Sequence, residues 1–97
     1  MVIKFADIGS SLGTRELGAK VREEILNAIT NSQEVTFDMS GVEVVSNSFA
    51  DECFAKLLLN FELSELKKHT HFKNAEPFVN KVIANAFKGR MNQLVHA

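Results

Sequence analysis

The hydrophobic pattern of the first third of the chain changes from an extended to a helical period. Residues 2–6 form a short apolar run rich in β-formers, which predicts a strand. A glycine- and serine-rich break at residues 9–13 ends this strand, and Thr14 is then placed to cap a helix. The next apolar residues recur every fourth position, as on one face of an amphipathic helix. They are Leu17, Val21, Ile25 and Ile29.

The middle of the chain repeats this order. Residues 35–39 alternate apolar and polar side chains, which predicts a second strand, and residues 42–45 form a further extended segment beyond a bend. Residues 46–48 supply three candidate N-caps for a second helix over about 49–61. The apolar face of this helix is predicted to hold Ala50, Cys53, Phe54, Leu57, Leu58 and Phe61.

The last third predicts one more strand and one more helix. Residues 62–68 are interpreted as a polar connection, and residues 69–73 as a short strand. A third helix begins near Pro77, because a proline without an N–H costs nothing in a first turn. Gly89 is predicted to stop this helix, which leaves residues 90–97 as a patternless, flexible tail. The core-facing stripe of the helix is Val79, Val82, Ile83, Ala86 and Phe87.

Strands that alternate with helices indicate the α/β class, with parallel strands joined by right-handed crossovers. We therefore predict one domain over residues 1–97, with a three- or four-stranded, largely parallel sheet and three helices. The predicted core consists of Ile3, Phe5, Leu17, Val21, Ile25, Val35, Phe37, Phe54, Leu57, Val79 and Ile83.

Composition narrows the function classes. The chain has 97 residues, of which 45% are hydrophobic and 24% charged, as in ordinary globular proteins. Its formal charge is −1, and lysine and arginine are spread among acids along the chain. A nucleic-acid binder usually carries a basic surplus or stripe. We therefore expect neither nucleic acid nor an anionic membrane as a partner.

The compartment is predicted from cysteine usage and hydropathy. A single cysteine, Cys53, fits a reducing compartment, and its place beside Phe54 indicates a small buried hydrophobe. The sequence contains no apolar run of the roughly 20 residues needed to span a bilayer. The first residues lack the pattern of a signal peptide. Together these features predict a cytoplasmic protein.

The segment 9–15 is a candidate anion site. It lies between a predicted strand and a predicted helix, where backbone N–H groups can bind phosphate, and Gly13, Thr14 and Arg15 are the residues that would do so. The segment lacks the Gly-Lys-Ser/Thr ending of a P-loop and the spacing of a dinucleotide fingerprint. The simpler interpretation is a turn followed by a capped helix.

Three other groups of residues are of types that can carry chemistry. Ser46 and Ser48 are interpreted as helix caps, since no histidine lies near them in sequence to act as a base. His69 and His71 share one face of the predicted strand, but two histidines without a third ligand are poor evidence for a metal. A third group comprises Asp38 at a strand end and two acids in the first turn of the second helix, Asp51 and Glu52. We interpret the three acids as a bend cap and as partners of the helix dipole, and predict no catalytic residue, metal or cofactor.

Several motifs resemble those of STAS domains. The stretch Asp38-Met39-Ser40-Gly41-Val42, followed by residues 44–49, is similar to the STAS strand and the Asp-Ser-Ser-Gly turn that opens a helix. Residues 72–83 resemble a later strand, turn, proline and valine-rich helix. The helix starts at residues 13–15 and 48–52 are closer still to the STAS-like family of unknown function. The resemblance spans roughly residues 1–88 and implies an α/β fold and a regulatory role in protein interaction.

In the anti-sigma-factor antagonists of the STAS group, a partner kinase phosphorylates the second serine of Asp-Ser-Ser-Gly. That serine corresponds to Ser48, so the resemblance implies a switch over residues 46–49 and Asp51. The sequence departs from the motif at Ser46, Asn47 and Phe49, and the large Phe49 is expected to alter the docking surface.

The leading hypothesis is a non-enzymatic interaction module that partners a histidine-kinase-like ATPase or another signalling protein. The alternatives are a stand-alone inhibitor or adaptor from a mobile element, and a small-ligand or anion binder that uses residues 9–15. We also expect self-association, because a small sheet leaves backbone groups exposed at its edges.

Overall fold

The computed structural model describes residues 1–96. Their five strands form two sheets, one of three strands and one of two, and every pairing is parallel. In chain order the strands are β1 (Val2–Lys4), β2 (Ser11–Leu12), β3 (Val35–Asp38), β4 (Val44–Val45) and β5 (Thr70–Lys73). The helices are α1 (Arg15–Thr30), α2 (Asn47–Cys53), α3 (Leu63–His69) and α4 (Pro77–His96). The predicted α/β class with a parallel sheet is confirmed.

The larger sheet has the order β1–β3–β5, and burial alternates along β1 and β3 as it does when only one face of a sheet is covered. Ile3, Phe37 and Phe72 are in register and therefore point to the same side, where Ile3 and Phe37 are buried. The alternate positions point to the opposite side, and Val2 is 60% exposed there. The protein is thus a two-layer sandwich with one uncovered sheet face.

Four buried phenylalanines, Phe5, Phe37, Phe49 and Phe54, form the centre of the core, and Phe72, which is 38% exposed, packs at its edge. Phe54 contacts Phe5, Phe37 and Phe72, with ring centroids 5.2–5.4 Å apart, and it also packs edge-on against Phe49. Such tilted and edge-to-face arrangements are the ones that aromatic rings prefer. Every residue of the predicted core is buried except Leu17, which packs against the core but stays partly exposed.

In the helical layer, α2 packs against both α1 and α4. Gly18 permits the close approach of α1 to α2, because a Cβ atom there would lie 3.1–3.2 Å from Glu52 Cβ, Cys53 N and Phe49 O. Gly41 supports the predicted bend after β3, with a φ of +83° that favours glycine.

Three predictions about the elements were wrong. The second helix is not continuous, because α2 ends at Cys53 and a 3-10 turn over Ala55–Leu59 follows it. The predicted polar connection is the helix α3, in which one apolar residue, Leu66, is buried. A single buried residue produces too weak a periodicity to be recognised. Residues 1–96 therefore contain four α-helices where three helices were predicted.

The third correction concerns the end of the chain. Gly89 does not stop α4, which continues to His96. A glycine within a helix costs only about 1 kcal/mol relative to alanine, and a long helix tolerates that cost. Residues 90–96, for which no pattern was recognised, form its last turns.

Candidate functional site

The two helix starts chosen from sequence, residues 13–15 and 46–48, lie side by side. Strands β2 and β4 pair in parallel and bring them together. The Ser46 N–H donates to the Leu12 carbonyl at 2.9 Å, and the Ser46 hydroxyl donates to the Gly13 carbonyl at 2.9 Å. The candidate anion site and the candidate switch are therefore parts of one surface.

Ser46 and Ser48 have different roles in this surface. Ser46 Oγ accepts a hydrogen bond from the Phe49 N–H at 2.9 Å, so it is the N-cap of α2. Ser48 is the second residue of the helix, and the prediction that it is a cap is wrong. Thr14 caps α1 as predicted, since its Oγ1 accepts from the Leu17 N–H at 3.2 Å.

The two serines can be separated by one matched experiment. Ser46→Ala removes the cap and the link to Gly13, and we expect the free energy of unfolding to fall by about 1–2 kcal/mol. Ser48→Ala removes no capping hydrogen bond and is expected to change the free energy of unfolding by less than about 0.5 kcal/mol. Urea denaturation of both variants measures the difference. Equal losses would show that Ser46 is not the cap.

Phe49 does not belong to the docking surface. Its side chain is fully buried against Phe5 and Phe54, so the expectation that it alters the surface is wrong. Asn47 is exposed, and Ser48 is partly exposed. Of the switch candidates, Asn47, Ser48 and Asp51 therefore remain as surface residues.

A charge cluster joins α1, α2 and α4. Arg15 donates to Asp51 at 2.9 Å and to Glu52 at 3.1 Å, and Arg90 forms two bonds to Asp51, at 3.1 and 2.5 Å. Glu52 also accepts from Arg22 at 2.7 Å and from Lys56, 2.9 Å away. The charge cluster therefore has six members: Arg15, Arg22, Asp51, Glu52, Lys56 and Arg90.

The two acids of this charge cluster were misinterpreted as partners of the helix dipole. They lie in the second turn of α2, not in the first, and their partners are side chains. Glu52 is 7% exposed, which makes it the one buried charged residue among those described. Two spacings in the sequence indicate these ion pairs. Lys56 follows Glu52 by one helical turn, and Arg22 follows Arg15 by two turns, so that both arginines lie on one face of α1.

The ion pairs shift the ionisation of these groups. Hydrogen bonding from Arg22, assisted by Lys56 and Arg15, outweighs burial and lowers the pKa of Glu52 from 4.5 to about 2. Burial opposes ionisation of Asp51, but the bonds from Arg90 and Arg15 still lower its pKa. Asp51 and Glu52 in turn raise the pKa of Arg15. Asp51, Glu52 and Arg15 are therefore charged at neutral pH.

A polar groove of about 480 Å³ runs from this cluster along α4. Its lining includes Asn47, Asp51 and Arg90, together with amides of α4. Arg15 also lines the groove, but its guanidinium is bound by two carboxylates. An anion that bound Arg15 would therefore have to compete with Asp51 and Glu52.

The other candidate residues lie elsewhere. Asp38 is on the uncovered side of the sheet, where it accepts from the Ser40 N–H at 3.0 Å and from Asn74 at 3.3 Å, as expected of a bend cap. His69 ends α3 and only His71 belongs to β5, so the prediction that they share a strand face is wrong. Cys53 is buried, and this burial raises the pKa of its thiol. Within residues 1–96, no group of three metal-binding side chains is close enough to hold an ion.

An apolar surface that was not recognised from sequence lies on another face of the last turns of α4. It surrounds a groove of about 490 Å³ between the 3-10 turn, the start of α3 and the last turns of α4. Leu59, Leu94 and Val95 are 57%, 46% and 77% exposed. We call this the α4 apolar surface; it consists of Leu58, Leu59, Phe61, Leu63, Met91, Leu94 and Val95.

The α4 apolar surface was missed because its residues are far apart in sequence. The sequence pattern places Leu59 within the second helix and Phe61 on its core face, and it leaves Leu94 and Val95 in the tail. Within residues 1–96, no helix is both long enough and apolar enough to cross a membrane.

Comparison with known proteins finds one family. The family of STAS-like domains of unknown function matches residues 18–80, about two thirds of the chain. The match runs from α1 into α4 and includes Ser48, Asp51 and Glu52, whereas residues 13–15 precede it. No curated protein and no solved structure matches.

Proposed function

The chain belongs to the family of STAS-like domains of unknown function, and from that premise we propose that it is a non-enzymatic, cytoplasmic regulatory module that binds another protein. The observation that carries this proposal is the α4 apolar surface. Proteins that act alone rarely leave a contiguous apolar area exposed, and such areas commonly mark the places where partners bind. A histidine-kinase-like ATPase or another signalling protein is the partner class proposed from the STAS resemblance.

The arrangement of α4 connects this surface to the candidate switch. Arg90 and Gln93 line the polar groove, and Met91, Leu94 and Val95 line the apolar one. The last turns of α4 therefore carry the α4 apolar surface on one face and a wall of the groove that Asn47 and Asp51 line on another. Ser48 is between those two residues in α2.

Binding through the α4 apolar surface is tested by a matched pair of substitutions. Val95→Asp places a charge on that surface and is expected to reduce capture of the native partner from host extract at least tenfold, because burying an unpaired carboxylate is costly. Val2→Asp makes the same change on the uncovered sheet face, where valine is 60% exposed, and should leave capture unchanged. Quantitative mass spectrometry of the captured proteins measures both. The proposed function is wrong if the parent retains no protein that Val95→Asp loses.

Regulation at Ser48 is a separate prediction. Ser48→Asp adds negative charge near the start of α2, where the helix dipole favours it and the cations of the charge cluster outnumber the acids. We expect the free energy of unfolding to change by less than about 1 kcal/mol, while binding of the native partner weakens. Calorimetric titration of the captured partner with the Ser48→Asp and Ser48→Ala variants decides this. If both bind like the parent, Ser48 is not a switch.

The anion-binding alternative has no comparable support, because Asp51 and Glu52 hold Arg15. Self-association stays a prediction, and sedimentation equilibrium tests it. A monomer at the highest accessible concentration would contradict it.

A further inference from the structure

Strand β5 is an open edge of the larger sheet. Among the strands of residues 1–96 it pairs with β3 alone. The Lys73 carbonyl accepts from the Met39 N–H at 2.8 Å, so it points toward β3. Because successive residues of a strand direct their backbone groups to opposite sides, the N–H and C=O of Phe72 point outward. An edge of this kind can accept a further strand from another chain.

A groove lies directly beside this edge, on the helical side of the sheet. It has a volume of about 380 Å³ and is bounded by α3, β5 and α4. Its apolar wall includes Leu66, Phe72, Phe87 and Met91. A strand added beside Phe72 would point every second side chain to the same face as Phe72, which is the face that holds the groove. The edge and the groove therefore fit one extended segment whose apolar residues alternate.

The charged residues that line the groove favour one kind of binding segment over another. Lys67 and Lys88 line the groove, and no acidic residue does. A symmetric dimer through this edge would place the lysines of one copy near those of the other, which is unfavourable. The predicted self-association is therefore left to β1, the other edge of the larger sheet. A segment with acidic residues beside its apolar positions would pair with them instead.

We propose that the β5 edge and its groove bind an extended, acidic segment of a different protein, which adds to the sheet as a fourth strand. This inference rests on the proposed function, since it names the kind of partner segment that the module recognises. It concerns a site next to the α4 apolar surface, with which the groove shares Leu63 and Met91.

A display library tests the proposal without knowledge of the partner. Random segments of about ten residues, long enough for one strand, are selected against the full chain. We expect the enriched segments to alternate apolar and polar residues and to carry aspartate or glutamate. Synthetic peptides of these sequences should slow hydrogen exchange at the Phe72 amide, which a contact through side chains alone would not do.

Charge-reversal variants provide the control. Lys67→Glu combined with Lys88→Glu should weaken binding of the selected peptides about tenfold, since two favourable charge pairs become repulsive. Lys4→Glu combined with Lys20→Glu makes the same change away from the groove and should leave binding within about twofold. Thermal melts of both variants establish that they fold.

Four results would overturn the proposal. They are an absence of enriched segments, enrichment of a helical rather than an alternating period, equal binding to the parent and the Lys67/Lys88 variant, and dimerisation of the chain through β5. The proposed function is judged separately by the Val95→Asp experiment. If Val95→Asp loses a partner but the display library yields no segment with an alternating pattern, only the inference about β5 is contradicted.

Discussion

Replacing Phe54 with alanine is expected to destabilise the protein by about 4 kcal/mol, within the range measured for large aromatic residues in cores. Phe54 is fully buried and contacts Phe5, Phe37, Phe49 and Phe72, so its removal leaves a cavity that the surrounding rings cannot fill without leaving their packing positions. Domains of this size are stable by only about 5–15 kcal/mol. Urea denaturation followed by far-UV circular dichroism measures the loss.

The matched control is Phe78→Ala. Phe78 lies in the first turn of α4 and is 58% exposed, so the same substitution removes little buried area and should cost less than about 1 kcal/mol. A similar loss for the two variants would contradict the central position of Phe54.

Replacing Glu52 with glutamine is expected to cost about 3 kcal/mol at neutral pH. The substitution keeps the shape of the side chain but removes the charge that Arg22, Arg15 and Lys56 share. Breaking an ion pair on one side leaves the remaining charges partly buried and uncompensated, which typically costs 3–5 kcal/mol when burial is complete. We expect the lower end because Arg15 is half-exposed.

The same carboxylate gives the protein a defined sensitivity to acid. The pKa of Glu52 is about 2 when folded and 4.5 ordinarily, so protonation favours the unfolded chain. Its contribution is complete above about pH 5 and is lost as the pH falls toward 2. Unfolding free energies measured from pH 7 to 2 should therefore decline less steeply in Glu52→Gln than in the parent.

A control for Glu52 is available on α1. Glu23 is exposed, so Glu23→Gln should leave the free energy of unfolding at neutral pH, and its decline toward pH 2, close to those of the parent. Identical pH profiles for the parent and Glu52→Gln would show that the charge cluster does not hold the helices together.

Local patterns in the sequence determined the class of fold and most of the core. The four-residue spacing from Val21 to Ile29 and the alternation around Phe37 are produced by backbone periods of 3.6 and 2, which any chain with a buried face must follow. The cap at Thr14 was equally predictable, because a cap depends on residues only three positions apart. For α2 the same rule left three candidates at residues 46–48, and the structure selected Ser46. The family could also be identified from such short motifs.

The tertiary structure alone decided which side chains meet across helices. Glu52 looks like a surface acid in the sequence, and it became the centre of the charge cluster because Gly18 lets α1 approach α2 closely. Phe49 occupies the place of a motif residue, yet the core buries it.

The same holds for the surfaces proposed to bind partners. Leu59 and Val95 form one apolar surface only because α4 continues past Gly89, so that its last turns lie beside the 3-10 turn. The groove beside β5 exists because residues of α3, of α4 and of the edge strand, all distant in sequence, enclose one space. Periodicity records which residues of one element share a face, but contacts between distant elements depend on how those faces pack.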